Sequence, residues 1–330
     1  MKNVPFLSSR RLGLACVMAA VAAVLPLQAS AQAYPAKPVK VLVGFTAGGA
    51  VDLIARSVGQ AMQAGLGQPI VVENKPGAGT NIAMKALIDA PPDGYTLMLT
   101  ANSIAANPAL YKPAPFDPEK DVAPVALVGR VPVVIAANAA SPYTSVAQLI
   151  QAAKGKPNTI AYGSPGNGAT PHMAMEFFTR AAGVDLQHIP YKGGSQAITD
   201  AIGGQIPLVA VNALEVLPHV KSGKLRVIAV LSPNRSSIYP DVPTIAESGF
   251  PGFEASVWYG FIAPAATPKA VVERLHAEVE KALQNPEVRA RLANAGGEVL
   301  PGTTEQFAAL IRAERVRYEK LVREANIKPD

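Results

Sequence analysis

Two hydrophobic rhythms alternate along this chain. Compact apolar runs at 39–43, 70–73 and 96–100 read as strands. Between them, segments 51–64 and 81–89 place apolar residues three and four apart, as an amphipathic helix does. Asp93-Gly94 marks a turn before the third run. The run 125–137 is long for one strand and is interrupted by Gly129 and Pro132, which suits a crossover between two lobes. The second half repeats the logic, with a strand at 159–162, a glycine-rich turn at 163–171 and a helix at 172–182. A strand at 189–191, the Gly193-Gly194 turn and a helix to 202 come next, then strands at 206–211 and 227–231. The run 258–263 reads as a strand placed for a return crossover. The tail is helical: Thr267-Pro268 opens one helix as N-cap and first residue. Asn285-Pro286 opens a second, which Gly296 ends, and Thr303 with Gln306 makes a capping box for a last helix to about 325. Strand and helix alternating throughout predicts an α/β fold with mainly parallel strands.

The first residues have a different character. Lys2, Arg10 and Arg11 precede an apolar stretch over 12–27, and Ala31-Gln32-Ala33 follows. A charged start, an apolar middle and a small-x-small end predict an export signal over 1–33, cut after Ala33. Ser9-Arg10-Arg11 is part of a twin-arginine pattern, but Gly13 stands where a bulky apolar residue belongs, so the export route stays open. The single cysteine, Cys16, lies inside this leader, so the mature chain has no disulfide, thiolate ligand or thiol nucleophile to offer. Removing the three leader cations takes the net charge from +6 to +3. That charge draws small anions but is too weak and dispersed for nucleic acid. Beyond the leader no run is apolar and long enough to span a bilayer.

Catalytic signatures are missing. Around Gly163-Ser164-Pro165-Gly166, Tyr162 occupies the place where a nucleophile elbow needs its first glycine. His172 and Glu176 share a helix face, but two ligands without a third make a surface pair, not a metal site. His276 reads as an exposed helix residue, and no cofactor motif is complete. What stands out is a set of three glycine-rich turns between strand and helix: 45–52, 76–81 and 164–170. Turns of this kind lie beyond the C-terminal ends of parallel strands, where open α/β sheets bind ligands. They aim backbone N–H groups and helix N-termini at one point, which seats an anion without charged side chains. Asp52, in the first turn of its helix, suits bracing loop amides better than meeting an anionic ligand.

Phe45-x-Ala47-Gly48-Gly49-x-x-Asp52 resembles the first loop of the substrate-binding receptors of tripartite tricarboxylate transporters, the Bug family. The resemblance continues through Val71-Val72-Glu73-Asn74-Lys75-Pro76-Gly77-Ala78-Gly79, Pro92-Asp93-Gly94-Tyr95-Thr96-Leu97 and Pro190-Tyr191-Lys192-Gly193. Gly223-Lys224-Leu225-Arg226, Asp241-Val242-Pro243-Thr244, Trp258-Tyr259-Gly260 and Asn285-Pro286-Glu287-Val288 complete it, in order, over essentially the whole mature chain.

The resemblance implies a periplasmic receptor of the two-lobed class II binding-protein fold, with two crossover strands and a hinge-closing cleft. One lobe would hold 34–131 and 257–330, the other 132–256. The receptor would act as a monomer without cofactor, metal or catalysis. It would take a small organic carboxylate and pass it to the permease subunits of a tripartite tricarboxylate transporter. Carried over position by position, its contacts come from Phe45, Thr46, Ala47, Gly48, Gly49, Asp52 and Asn102 on one side. Ser164, Gly166, Asn167, Gly168, Ala169, Thr170, His172 and Asn212 supply the other. Thr46 stands where proline is common in the family, Ala50-Val51 where hydroxyl residues are, and Asn212 where aspartate is, so the particular acid stays open. A ligand-sensing receptor for a membrane signalling protein needs the same hinge. A secreted hydrolase built on Ser164 and His172 is the remaining alternative.

Overall fold

The computed structural model describes residues 34–294, 296–325 and 327. The expected leader, 1–33, lies outside them. The chain divides at Ala36/Lys37, and the elements described below belong to the unit Lys37–Asp330. Strands β1 (Val39–Val43), β2 (Ile70–Asn74), β3 (Thr96–Thr100), β4 (Val122–Asn138), β5 (Ala161–Ser164), β6 (Gln187–Pro190), β7 (Leu208–Asn212), β8 (Leu225–Val230), β9 (Ser256–Pro264) and β10 (Glu298–Val299) alternate with helices. The helices are α1 (Ala50–Leu66), α2 (Asn81–Ile88), α3 (Ser103–Leu110), α4 (Val146–Ala153), α5 (Thr170–Ala182), α6 (Gly194–Ile202), α7 (Ala213–Lys221), α8 (Lys269–Gln284), α9 (Pro286–Asn294) and α10 (Thr304–Ala325).

The strands run in the order β2-β1-β3-β9-β4-β7-β5-β6, with β8 and β10 also on β4. The pairs β1–β2, β1–β3, β5–β6 and β5–β7 are parallel, as strand–helix alternation predicts. Every pair made by β4 or β9 is antiparallel, so the sheet is mixed where the reading expected it mainly parallel. The cause is β4 itself. Its first part, Val122 to Pro132, pairs with β9, and its last part, from Val133, pairs with β7 and β8. One strand thus runs through two sets of strands, and register shifts at 124–126 and 127–129 absorb the interruption that Gly129 announced. The return is made just before β9, where Ala255 N–H donates to Leu231 O and Leu231 N–H to Val133 O. The strand β9 itself pairs wholly with the first set, not across the sets.

Each set has its own core. Leu42, Met98, Ile262, Trp258, Phe307 and Ile311 pack one face of the first; Val134, Val209, Val211, Ile198, Val216 and Tyr239 pack the second. Gly260 on β9 is required by this packing: a Cβ there would lie 2.2 Å from the Phe307 ring that α10 lays on the sheet. Ala105, Met173, Tyr318 and Leu321 join α3, α5 and α10 into a further cluster.

The capping box is present, with Thr303 N–H to Gln306 Oε1 at 2.9 Å and Gln306 N–H to Thr303 Oγ1 at 3.2 Å. Asn285 Oδ1 accepts the Glu287 N–H at the start of α9. Thr267 is not an N-cap. Its hydroxyl donates to Pro264 O at 2.7 Å, and α8 starts two residues later, at Lys269. His276 is not exposed either; its Nδ1 lies 2.9 Å from Val125 O, tying α8 to β4.

Candidate functional site

A crevice of about 460 Å³, mouth included, lies between the two sets of strands. Phe45, Thr46, Gly49, Ala50 and Val51 line it from the β1–α1 loop, with Ala101, Ser103, Val257 and Tyr259 behind them. Pro165, Ala169, Thr170, Pro171, Gly193, Gly194, Asn212 and Glu215 face them. Ala50, Ser103, Thr170 and Gly194 are the first residues of α1, α3, α5 and α6, and Asn212 is the N-cap of α7. Five helices therefore start at one crevice, each with first-turn N–H groups that have no acceptor within their own helix. Among the described residues lining it there is no lysine or arginine, and Glu215 is the one charged side chain. Three side-chain atoms on its wall, Thr170 Oγ1, Asn212 Oδ1 and Tyr259 OH, are buried without a hydrogen-bond partner among the described residues.

The two sides come close because glycine faces side chains across the gap. A Cβ on Gly193 would meet Thr46 Oγ1 at 2.2 Å, and one on Gly168 would meet Asn107 Oδ1 at 2.5 Å. Gly168 also needs its glycine for its φ of +72°, a left-handed conformation.

The first loop is held from behind by Asp52. Its Oδ2 accepts the Gly48 N–H and Arg56 Nε, both at 3.0 Å, and its Oδ1 accepts Asn74 Nδ2 at 3.0 Å. The same Asn74 group reaches Phe45 O at 3.0 Å. Burial works against ionisation of Asp52, but the hydrogen bonds from Arg56, Gly48 and Asn74 hold its carboxyl below the usual aspartate range.

The second loop is braced by a buried aromatic stack. His172 Nδ1 accepts the Gly168 N–H at 3.2 Å, so that nitrogen carries no proton. Its ring lies on His188 at 4.0 Å, and His188 lies on Tyr162 at 5.0 Å. His188 Nε2 is 2.7 Å from Ser164 Oγ, and that hydroxyl oxygen accepts the Gly166 N–H at 3.2 Å. Burial pulls both histidines down, His188 to about 4. Burial pushes Glu176, beside His172, up, while the Tyr162 hydroxyl and Arg180 oppose the rise.

The structure brings Phe45, Thr46, Gly49, Ala169, Thr170 and Asn212 together on the crevice wall. Gly166 and Asn167 line a neighbouring hollow, where the Gly77–Gly79 turn meets them. Ala47 and Gly48 face solvent. Asp52, Gly168, Ser164 and His172 stand behind the loops as braces. Asn102 is not at the crevice: its Nδ2 bonds Ser256 O, Glu314 Oε2 and Tyr318 OH, and its Oδ1 accepts the Trp258 N–H. It is committed to residues over 150 positions away in sequence, pinning α3 to β9 and α10. The Ser164–His188 contact lies under the loop with Ser164 fully buried, so it offers a substrate no nucleophile.

Sequence reasoning missed Tyr259, Gly193, Gly194 and above all Glu215. Glu215 Oε1 accepts Asn212 Nδ2 at 2.7 Å. Burial pushes its carboxyl up, opposed by the Asn212 hydrogen bond and the Ala50 N–H. Asn212-x-x-Glu215 has the spacing of an N-cap and third helical residue, a signal that was there to find.

Strands and helices arranged to aim helix N-termini at a crevice between two sets of strands define a solute-binding receptor. The family model of the tripartite tricarboxylate transporter family receptor, TctC, matches residues 54–327, and the chain belongs to that family. The family is one of binding receptors, not enzymes. The chain is similar to the periplasmic binding protein BugD (34% identity, 90% of this chain and 100% of that one, TM-score 0.85). It is also similar to the Rhodopseudomonas palustris protein Rpa4515, solved with adipate (32% identity, 90% of this chain and 100% of that one, TM-score 0.85). MatC of the same organism, solved with bound malate, is similar too (31% identity, 88% of this chain and 100% of that one, TM-score 0.83).

Proposed function

We propose that this chain is a periplasmic receptor that captures a small organic carboxylate in the crevice and delivers it to the permease subunits of a tripartite tricarboxylate-type transporter. One observation carries the reading: among the described residues, five helix N-termini and three partnerless polar atoms meet in a crevice lined by no lysine or arginine. Main-chain N–H groups and helix dipoles favour negative charge there. Carboxylates in two similar proteins, adipate and malate, are in keeping with that chemistry. Phe45, Thr46, Gly49, Ala50, Val51, Ala169, Thr170, Gly194, Asn212 and Tyr259 form the contact surface in this reading. Ala47, Gly48, Asp52, Ser164, Gly166, Asn167, Gly168 and His172 hold its shape.

The lobes of this receptor are 34–131 with 257–330, and 132–256; in this reading they hinge where β4 passes from one set of strands to the other and where the chain returns at the start of β9. The receptor works as a monomer in the periplasm after a leader is cut at Ala33. Among the described residues no helix is long and apolar enough to cross a membrane.

A thermal-shift panel of carboxylic acids, neutral sugars and cations tests the function. An acid present at about 100 times its Kd adds roughly 2.7 kcal/mol of stability, a clear rise in Tm. Sugars or cations that raise Tm where no acid does would contradict it.

A further inference from the structure

We infer that Glu215 selects the ligand's second functional group, and that the solute is an amino acid type of carboxylate, carrying a cationic amino group opposite its carboxylate end, in preference to a plain di- or tricarboxylate. The inference rests on the carboxylate reading above and deepens it.

The crevice has two chemistries. The N-termini of α1, α3, α5 and α6 supply donors, which suit a carboxylate. At the start of α7 the chemistry reverses. Glu215 presents a carboxylate, and Asn212 gives its Nδ2 to Glu215 at 2.7 Å, which leaves Asn212 Oδ1 as a buried acceptor without a donor. A carboxylate and an orphan carbonyl oxygen side by side form an acceptor patch, and among the described residues no side-chain cation on the crevice wall answers it. The fold makes room for it: a Cβ on Gly194 would lie 1.9 Å from Glu215 Oε2, so only glycine at 194 lets the carboxylate sit there. Its two donors, the Asn212 amide and the Ala50 N–H, are neutral, so the buried carboxylate lacks a compensating charge, a cost that the upward push on its pKa reflects. An ammonium group brings up to three N–H donors and a compensating charge to that patch. A second ligand carboxylate would bring like charge instead.

Calorimetric titration of matched pairs tests this: glutarate against glutamate, adipate against 2-aminoadipate, and butyrate against 4-aminobutyrate. The wild type should bind at least one amino member tenfold or more tighter than its parent acid. Glu215→Gln keeps the size and an acceptor for Asn212, and should lose that preference, weakening the amino member tenfold or more while sparing or improving the parent. Gly194→Ala, which displaces the Glu215 carboxylate without removing it, should move the preference the same way. Circular dichroism on each variant checks that it is folded; with the pairs measured on wild type alone, the preference itself already decides. Plain acids binding tighter than every amino partner, or an unchanged preference in a folded Glu215→Gln protein, would overturn the inference and leave the carboxylate receptor standing. No binding by either class would overturn both.

Discussion

At the scale of single residues, the site divides into groups that touch the crevice and groups that hold others in place. Asp52 is a holder. Its carboxylate takes the Gly48 N–H, both ends of Arg56 and Asn74, and these fix the first loop against β2. Asp52→Ala takes the acceptor from a loop N–H and one acceptor each from Arg56 and Asn74, which keep Asn74 Oδ1 and Phe45 O, and should cost about 1–3 kcal/mol in urea unfolding. Ligand binding should weaken with it, although the Asp52 carboxylate is turned to the loop, and Asp52→Asn, which keeps one acceptor, should cost less. Unchanged stability in Asp52→Ala would refute the brace. This role was legible from the sequence because Asp52 sits in the first turn of a helix and all but one of its partners lie within four residues of it. Asn102 was not legible, because its partners Ser256, Trp258, Glu314 and Tyr318 are brought to it only by the completed fold. Glu215 was legible only in part. Its spacing from Asn212 is local, but its place opposite Ala50 depends on two distant elements meeting.

At the scale of elements, the donors of the crevice belong to helix starts, and the visibility of those helices in the sequence differs for a physical reason. The helices α1 and α6 each bury one face and expose the other, so their periodicity is plain. All eight residues of α3 are buried, which erases the stripe, and Pro108 lies inside it. Pro218 likewise interrupts α7. Both helices went unread, and with them two of the five N-termini. The loop before α5 has a further property, set by the histidine stack beneath it. His172 and His188 are held neutral in the fold, with pKa values below the 6.5 of an unfolded histidine. As pH falls below 6.5, the unfolded chain takes up protons that the folded one refuses, until His188 titrates at about 4. Stability should therefore drop over that window, by up to about 1.4 kcal/mol per pH unit for each histidine. Glu176 and Glu215 act in the opposite sense. Their raised pKa values let the fold keep protons that the unfolded chain loses above about 4.5, a contribution lost as pH rises. Their neighbours temper the effect, so the histidine limb is isolated by mutation. His188→Gln, which retains a partner for Ser164, should flatten the fall in Tm between pH 6.5 and 4. A slope identical to wild type would show that His188 does not titrate in this way.

At the scale of the whole molecule, one 17-residue strand, β4, belongs to both sets of strands, and the chain returns beside it at Ala255/Ser256. The sequence announced the passage through Gly129 and Pro132, because a long apolar run with a glycine and a proline cannot be an ordinary central strand. The antiparallel direction of that passage had no local signature, since direction is a property of pairing and not of the strand. The crevice follows from this passage: two sets of strands with a helix start at each adjoining strand end bring main-chain donors together from both sides. The central claim is that these donors hold a carboxylate without help from a cationic side chain. A crystal structure of the protein with a bound acid from the thermal-shift panel tests it most directly. The account predicts carboxylate oxygens within about 3.2 Å of main-chain nitrogens at the starts of α1, α5 or α6 and of the Thr170 or Tyr259 hydroxyls. A carboxylate gripped by lysine or arginine, or seated outside the crevice, would contradict it.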